Sequence, residues 1–201
     1  MPVFAVAHSM GGMITIRLAL DDPKLFRAIV LVGPLIHVGP STLLRSLPMN
    51  AFWPSLNHLF QWALKQPLMR YFGHTQIGST NIHNITSDAH VKQLLLEDDH
   101  RHFGGIYVHM LSTFSAEMTN NLQDLGAKMT TPFCVLFGQD DPLCNIRGGW
   151  DMYFGCSRVS KTDKIMMEFE NAAHQLYLEI PQVREKAMKV TLDFFLARTI
   201  Y

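Results

Sequence analysis

The stretch Pro2–Gly12, PVFAVAHSMGG, decides the fold. Pro2–Ala7 is a short apolar run with β-branched residues and reads as a buried strand. From Met10 to Leu20 the apolar residues Met13, Ile14, Ile16, Leu18 and Leu20 fill a helical segment whose leading glycines permit close backbone approach. Asp21-Asp22-Pro23 ends that helix, and Ala28–Val32 (AIVLV) reads as a second buried strand closed by Gly33-Pro34. Strand, helix and strand in close succession form a βαβ unit, whose right-handed crossover makes the sheet parallel. Ser9 stands at the junction of the first strand and the helix, inside Ala7-His8-Ser9-Met10-Gly11.

The same signals return late in the chain. Phe133–Phe137 (FCVLF) and Ile165–Phe169 (IMMEF) are strand candidates, and Val183–Ala197 is a helix with Val183, Ala187, Val190, Phe194 and Phe195 spaced for one buried face. The interval 36–118 differs: it is rich in Leu, Phe, Trp and Met, is broken by Pro40, Pro48, Pro54 and Pro67, and reads as short helices without strands. The expected organisation is a core of residues 1–35 and 119–201 with a helical cap, 36–118, inserted over the sheet. Leu43, Leu44, Leu47, Phe52, Trp53, Leu56, Leu59, Phe60 and Trp62 exceed what a small insertion buries by itself, which favours an apolar tunnel wall or a membrane-interface surface.

Composition narrows the function classes. The 201 residues are 48% hydrophobic and 17% charged, the balance of a globular chain. Lys+Arg and Asp+Glu are equal at 17 each, so bulk electrostatics recruit neither nucleic acid nor anionic headgroups. Three irregularly spaced cysteines, Cys134, Cys144 and Cys156, make no disulfide framework or zinc pattern, and a reducing, cytoplasmic setting is expected. No apolar run reaches the roughly 20 residues of a membrane span, so membrane contact is expected to be peripheral. Glu97-Asp98-Asp99-His100-Arg101-His102 reads as a solvated turn in preference to a metal site.

A serine hydroxyl is a weak nucleophile at neutral pH and needs a histidine to take its proton, an acid to hold that histidine, and donors for the oxyanion. The elbow G-x-S-x-G sets the serine in a strained strand-to-helix turn that demands small neighbours. Ala7-His8-Ser9-Met10-Gly11 departs from it by one methyl group, at Ala7. On this scaffold an acid and then a histidine follow on loops after later strands. Asp140 and Asp141 stand just past Phe133–Phe137, and His174 stands just past Ile165–Phe169. Asp140 and Asp141 compete for one role, and an Asp before Pro is also a common turn former.

Together these residues resemble an α/β-hydrolase of the monoacylglycerol lipase group, within the serine aminopeptidase S33 class. The resemblance runs through PVFAVAHSMGG, AIVLVGPLI, TTPFCVLFGQDDPLCN and the segment around His174, and is weakest from about 41 to 81. Matching GQDDPLC to the family's G-x-x-D-x-x-C pattern implies Asp141 as the acid, Ser9 as nucleophile, His174 as base and the Met10 N–H as an oxyanion donor. Cys144 falls where the family carries a cysteine near the acyl pocket, a candidate for thiol-reactive inhibition. Tyr177 replaces a second histidine near the glycerol headgroup, and Asn145 replaces an aspartate. The resemblance implies hydrolysis of monoacylglycerols to fatty acid and glycerol, with no cofactor and no metal, by an intracellular, peripherally membrane-associated enzyme that contacts membrane through its cap.

Members of that family carry four strands ahead of the elbow strand, with a His-Gly-rich loop that gives a second oxyanion donor. The expectation is therefore the C-terminal portion of an α/β-hydrolase fold, a mostly parallel sheet of about four strands, with Met1 an internal methionine. Its elbow strand would be an open apolar edge, prone to self-association. Two alternatives accompany the lipase reading: a truncated, non-catalytic lipid- or protein-binding module of the same fold, and an S33 esterase or peptidase with another substrate.

Overall fold

The computed structural model of the chain describes residues 1–37, 74–77, 81–100 and 106–199. β1 (Phe4–His8), α1 (Met10–Asp21) and β2 (Ala28–Val32) form the leading unit. β3 (Gln76–Ile77), α2 (Ala89–Glu97) and β4 (Ile106–Tyr107) follow, and then α3 (Val108–Lys128), β5 (Phe133–Gly138), α4 (Ile146–Gly155), β6 (Lys164–Phe169) and α5 (Pro181–Leu196). The four longer strands make one sheet in the order β1-β2-β5-β6, every neighbouring pair parallel. All four C-terminal ends therefore lie along one edge of the sheet, and the connections that leave them meet there.

The two central strands are buried along their whole length, as a sheet covered on both faces requires. Alternation along β2 divides the core. Ile29 and Leu31 join Ile16, Leu20, Val135, Phe137 and Met152 on one face. Ala28, Val30 and Val32 join Cys134, Leu136, Ala187 and Phe194 on the other. Truncating a residue such as Ile29 to Ala at these fully buried positions costs about 2–5 kcal/mol.

Strand and helix bounds follow the sequence pattern within two residues, because each boundary carries its own signal. Pro181 occupies the first turn of α5, where a missing N–H leaves no bond unmade. On that helix Ala187 and Phe194 are buried, and Val183, Val190 and Phe195 pack against the same cluster. On α1 the apolar spacing overstates burial: Met13, Ile16 and Leu20 are inside, whereas Ile14 and Leu18 are exposed.

The interval 36–118 differs from its reading in two respects. β3 and β4 pair as a short antiparallel ribbon, Gln76 with Tyr107 and Ile77 with Ile106, where the sequence reads as helices without strands. Strands of two residues are too short to show alternation. The boundary drawn at 118/119 also falls inside a continuous helix, α3. That helix is tied to the core beyond the boundary, where Asn121 Nδ2 donates to the Met13 carbonyl at 3.0 Å and Arg17 Nη1 reaches Asp124 at 2.9 Å. The apolar residues from Leu43 to Trp62 lie outside the described residues.

Candidate active site

The turn after β1 carries the serine. Ser9 has φ 54° and ψ −120°, a left-handed conformation that a residue with a Cβ adopts only under constraint. The constraint is visible in its backbone bonds. Ser9 N–H donates to the Val32 carbonyl at 3.0 Å, while its own carbonyl accepts from Gly12 N–H and Leu35 N–H, each at 2.9 Å. The turn is therefore stitched to the end of β2, and α1 begins at Met10, whose N–H is one of those a helix leaves without an internal partner.

Smallness is demanded one residue later than the elbow pattern implies. A Cβ on Gly12 would stand 2.7 Å from Pro34 Cβ, whereas one on Gly11 meets nothing within 4 Å among the described residues.

The turns after β5 and β6 bring the acid and the histidine together. His174 Nδ1 donates to Asp141 Oδ2 at 2.7 Å, with both side chains withdrawn from solvent. The other oxygen, Asp141 Oδ1, accepts from Leu143 N–H at 2.8 Å and Cys144 N–H at 3.0 Å, which fixes the carboxylate plane. Asp140 instead points outward, exposed. Gly33, at φ +48°, closes the site from β2: a Cβ there would lie 3.1 Å from both Asp141 Oδ2 and His174 Nδ1. Among the described residues no hydrogen bond joins the Ser9 hydroxyl to the His174 ring. Such bonds are often long before substrate arrives.

The remaining candidates divide. Cys144 belongs to this cluster: its sulfur, an Asp141 oxygen and a His174 ring nitrogen lie within 4.8 Å of one another. Burial holds its thiol pKa well above the ordinary value, the Asp141 charge adds to the rise, and the Ser9 side chain opposes it. Tyr177 is not brought to the cluster. It packs on the opposite core face, and its hydroxyl is hydrogen-bonded to Thr191 Oγ1 on α5 at 2.7 Å. Asn145 caps α4, accepting from Arg147 N–H at 3.0 Å.

Two residues that the sequence reading passes over bind the main chain of the loop that carries His174. His8, inside the elbow, reaches the His174 carbonyl with Nε2 at 3.3 Å. Glu179, fully buried, accepts from the N–H of Ala173 at 2.8 Å. His8 lies in the pentapeptide's variable position, and Glu179 lies in the run LEIPQ ahead of the last helix; neither has a spacing signal.

Residues 1–181 match the family described as serine aminopeptidase, S33. The chain belongs to this family. The human monoglyceride lipase is 27% identical to this S33 chain over 91% of it, and the monkeypox virus monoglyceride lipase homolog is 26% identical over 94%. The chain spans 54% and 60% of the lengths of those two relatives. A solved monoglyceride lipase from Saccharomyces cerevisiae superposes with a TM-score of 0.78 at 19% identity, covering 100% of this chain and 63% of its own. A Paleococcus ferrophilus monoacylglycerol lipase gives 0.77 at 16%, covering 98% of this chain and 69% of its own. The fold is that of an α/β-hydrolase, present in part. No helix among the described residues is long and apolar enough to cross a membrane.

Proposed function

We propose that this S33 chain carries the nucleophile, acid and base of a serine hydrolase acting on carboxylic esters of lipids, with monoacylglycerol as substrate and fatty acid and glycerol as products. The observation that carries the reading is the buried Asp141–His174 pair at the same sheet edge as the left-handed Ser9 turn. Because Nδ1 keeps its hydrogen and donates it in a bond to Asp141, the lone pair of a neutral His174 is on Nε2, free to act as a base. Ser9 Oγ attacks the ester carbonyl while Nε2 takes its proton. The Met10 N–H meets the oxyanion, and collapse of the tetrahedral intermediate returns the proton from Nε2 to the departing glycerol oxygen. Water repeats the sequence on the acyl-serine and releases the fatty acid.

The names of the human and viral relatives support the lipid ester over other S33 substrates. In the same proposal residues 36–118 cap the site, and the apolar residues from Leu43 to Trp62 contact a lipid surface. The reading is tested by treating the folded chain with a fluorophosphonate probe beside Ser9→Ala, then offering a panel of lipid and short-chain esters. Labelling that depends on Ser9, with turnover of monoacylglycerols, is expected. A folded sample that binds acyl chains but shows no Ser9-dependent labelling overturns it in favour of a non-catalytic binding module.

A further inference from the structure

We infer that Glu179 is a positioning residue for His174, locking the histidine loop to the segment that leads into α2. The inference rests on the hydrolase reading above for its functional meaning.

Glu179 is wholly buried, and an ionised carboxylate can only accept hydrogen bonds. Four donors surround it. Oε1 accepts from Ser87 N–H at 2.9 Å and Ala173 N–H at 2.8 Å. Oε2 accepts from the Ser87 hydroxyl and from Ile180 N–H at 3.3 Å. These donors come from three places in the chain: the approach to α2, the residue directly before His174, and the entry to α5.

A second set of bonds runs beside the first. Gln175 N–H donates to the Ile85 carbonyl at 2.8 Å, and Thr86 Oγ1 donates to the Leu178 carbonyl at 2.7 Å. Both sequence neighbours of His174, Ala173 and Gln175, thus spend their main-chain N–H groups on this clasp. The ring's direction is set at the tip by Asp141 and at its base by the clasp, so releasing either end frees the imidazole to swing. Positioning errors of about an ångström are worth up to roughly a hundredfold in rate.

Glutamine and alanine separate the roles. Glu179→Gln keeps a carbonyl oxygen for Ala173 and Ser87 N–H, the Ser87 hydroxyl can turn to accept from its amide, and only the longer bond from Ile180 N–H, 3.3 Å, is lost. Glu179→Ala leaves Ala173, Ser87 and Ile180 N–H groups buried without that acceptor. The experiment uses the whole chain and two readouts: the rate constant of fluorophosphonate labelling at Ser9, and the proton resonance of the His174 Nδ1–H bonded to Asp141. Glu179→Ala is expected to slow labelling roughly 10- to 100-fold at unchanged final stoichiometry and to broaden or shift the resonance. Glu179→Gln should stay within about threefold of the parent rate and keep the resonance. If Glu179→Ala does not fold, Ser87→Ala, which removes one bond of the clasp, is expected to broaden the resonance.

A sharp, unshifted resonance with the parent labelling rate in folded Glu179→Ala, or in Ser87→Ala where it stands in, overturns the inference. So does Glu179→Gln impaired as deeply as Glu179→Ala. Absence of Ser9 labelling in the parent chain counts against the hydrolase reading alone, since the resonance still reports on the clasp.

Discussion

His8 donates its Nε2–H to the main-chain carbonyl of His174 across 3.3 Å, and the two imidazole rings lie 4.5 Å apart between centroids. A carbonyl oxygen only accepts, so the bond fixes His8 in its Nε2–H tautomer. Burial, followed by the charge of His174, pulls the His8 pKa from 6.5 down to about 4, against the opposing pull of that carbonyl bond and of Asp141. His8 is therefore a neutral wedge beneath His174 at physiological pH.

That wedge predicts an acid sensitivity. Between the unfolded pKa of 6.5 and the folded value of about 4, the unfolded chain binds a proton at His8 that the folded chain refuses. Stability from this group is whole above the unfolded pKa and falls as pH drops through the window, at up to about 1.4 kcal/mol per pH unit. Urea unfolding followed across these pH values measures the slope. His8→Gln, which keeps a donor and does not titrate, should flatten it; an equal slope in both chains contradicts the assignment.

Glycine substitutions should rank by what a Cβ meets. On Gly138 it would stand 2.2 Å from the carbonyl oxygens of both Ala172 and Ala173, so Gly138→Ala must push the histidine loop away from β5. Gly33→Ala meets the Asp141–His174 pair and a backbone at φ +48°. Each is expected to destabilise by about 1–3 kcal/mol or more and to slow fluorophosphonate labelling. Gly11→Ala, on α1 with nothing within 4 Å of its Cβ among the described residues, should be neutral or stabilising by up to about 1 kcal/mol. Denaturant midpoints for the three variants, measured together, decide the order.

Much of this frame is readable in the sequence because its elements bury both faces. AIVLV and FCVLF are continuous apolar runs with sharp ends, and parallel pairing follows from the crossover that runs from the first strand through α1 to AIVLV. The order serine, acid, histidine follows from three strand ends, and only the choice between Asp140 and Asp141 needs either the family pattern or the coordinates. What escapes the sequence is contact between distant loops. Nothing local to Tyr177 shows that Thr191 takes its hydroxyl, and nothing local to Glu179 shows that Ser87 and Ala173 converge on it. The β3–β4 ribbon escapes for a different reason, since two residues per strand carry no period.

The cysteines should resist thiol reagents until the fold opens. Cys134, Cys144 and Cys156 are all free and buried. Burial pushes the thiols of Cys134 and Cys156 up to about 12 and that of Cys144 well above its usual value. The thiolate is the reactive form, so modification at neutral pH depends on transient opening. Iodoacetamide labelling read by mass spectrometry should be slow in the native chain and complete in denaturant. Fast native alkylation of Cys144 would place it in an accessible acyl pocket.

The β1 edge should make the chain self-associate. Among the described residues β1 is the outer strand of the sheet, pairing with β2 on one side, and Val3 and Val6 are each 50% exposed. On α1, Ile14 and Leu18 stand one helical turn apart, 47% and 44% exposed. An apolar strand edge beside an apolar helix stripe is a template for pairing with another chain, and a charge placed on the strand counters it. Sedimentation velocity over a wide concentration range should show reversible self-association of the parent chain, which Val6→Lys weakens and Val6→Lys with Leu18→Glu weakens further. Far-ultraviolet circular dichroism of each variant establishes that the fold is kept. A parent chain that sediments as a monomer at every concentration removes the edge as an association surface.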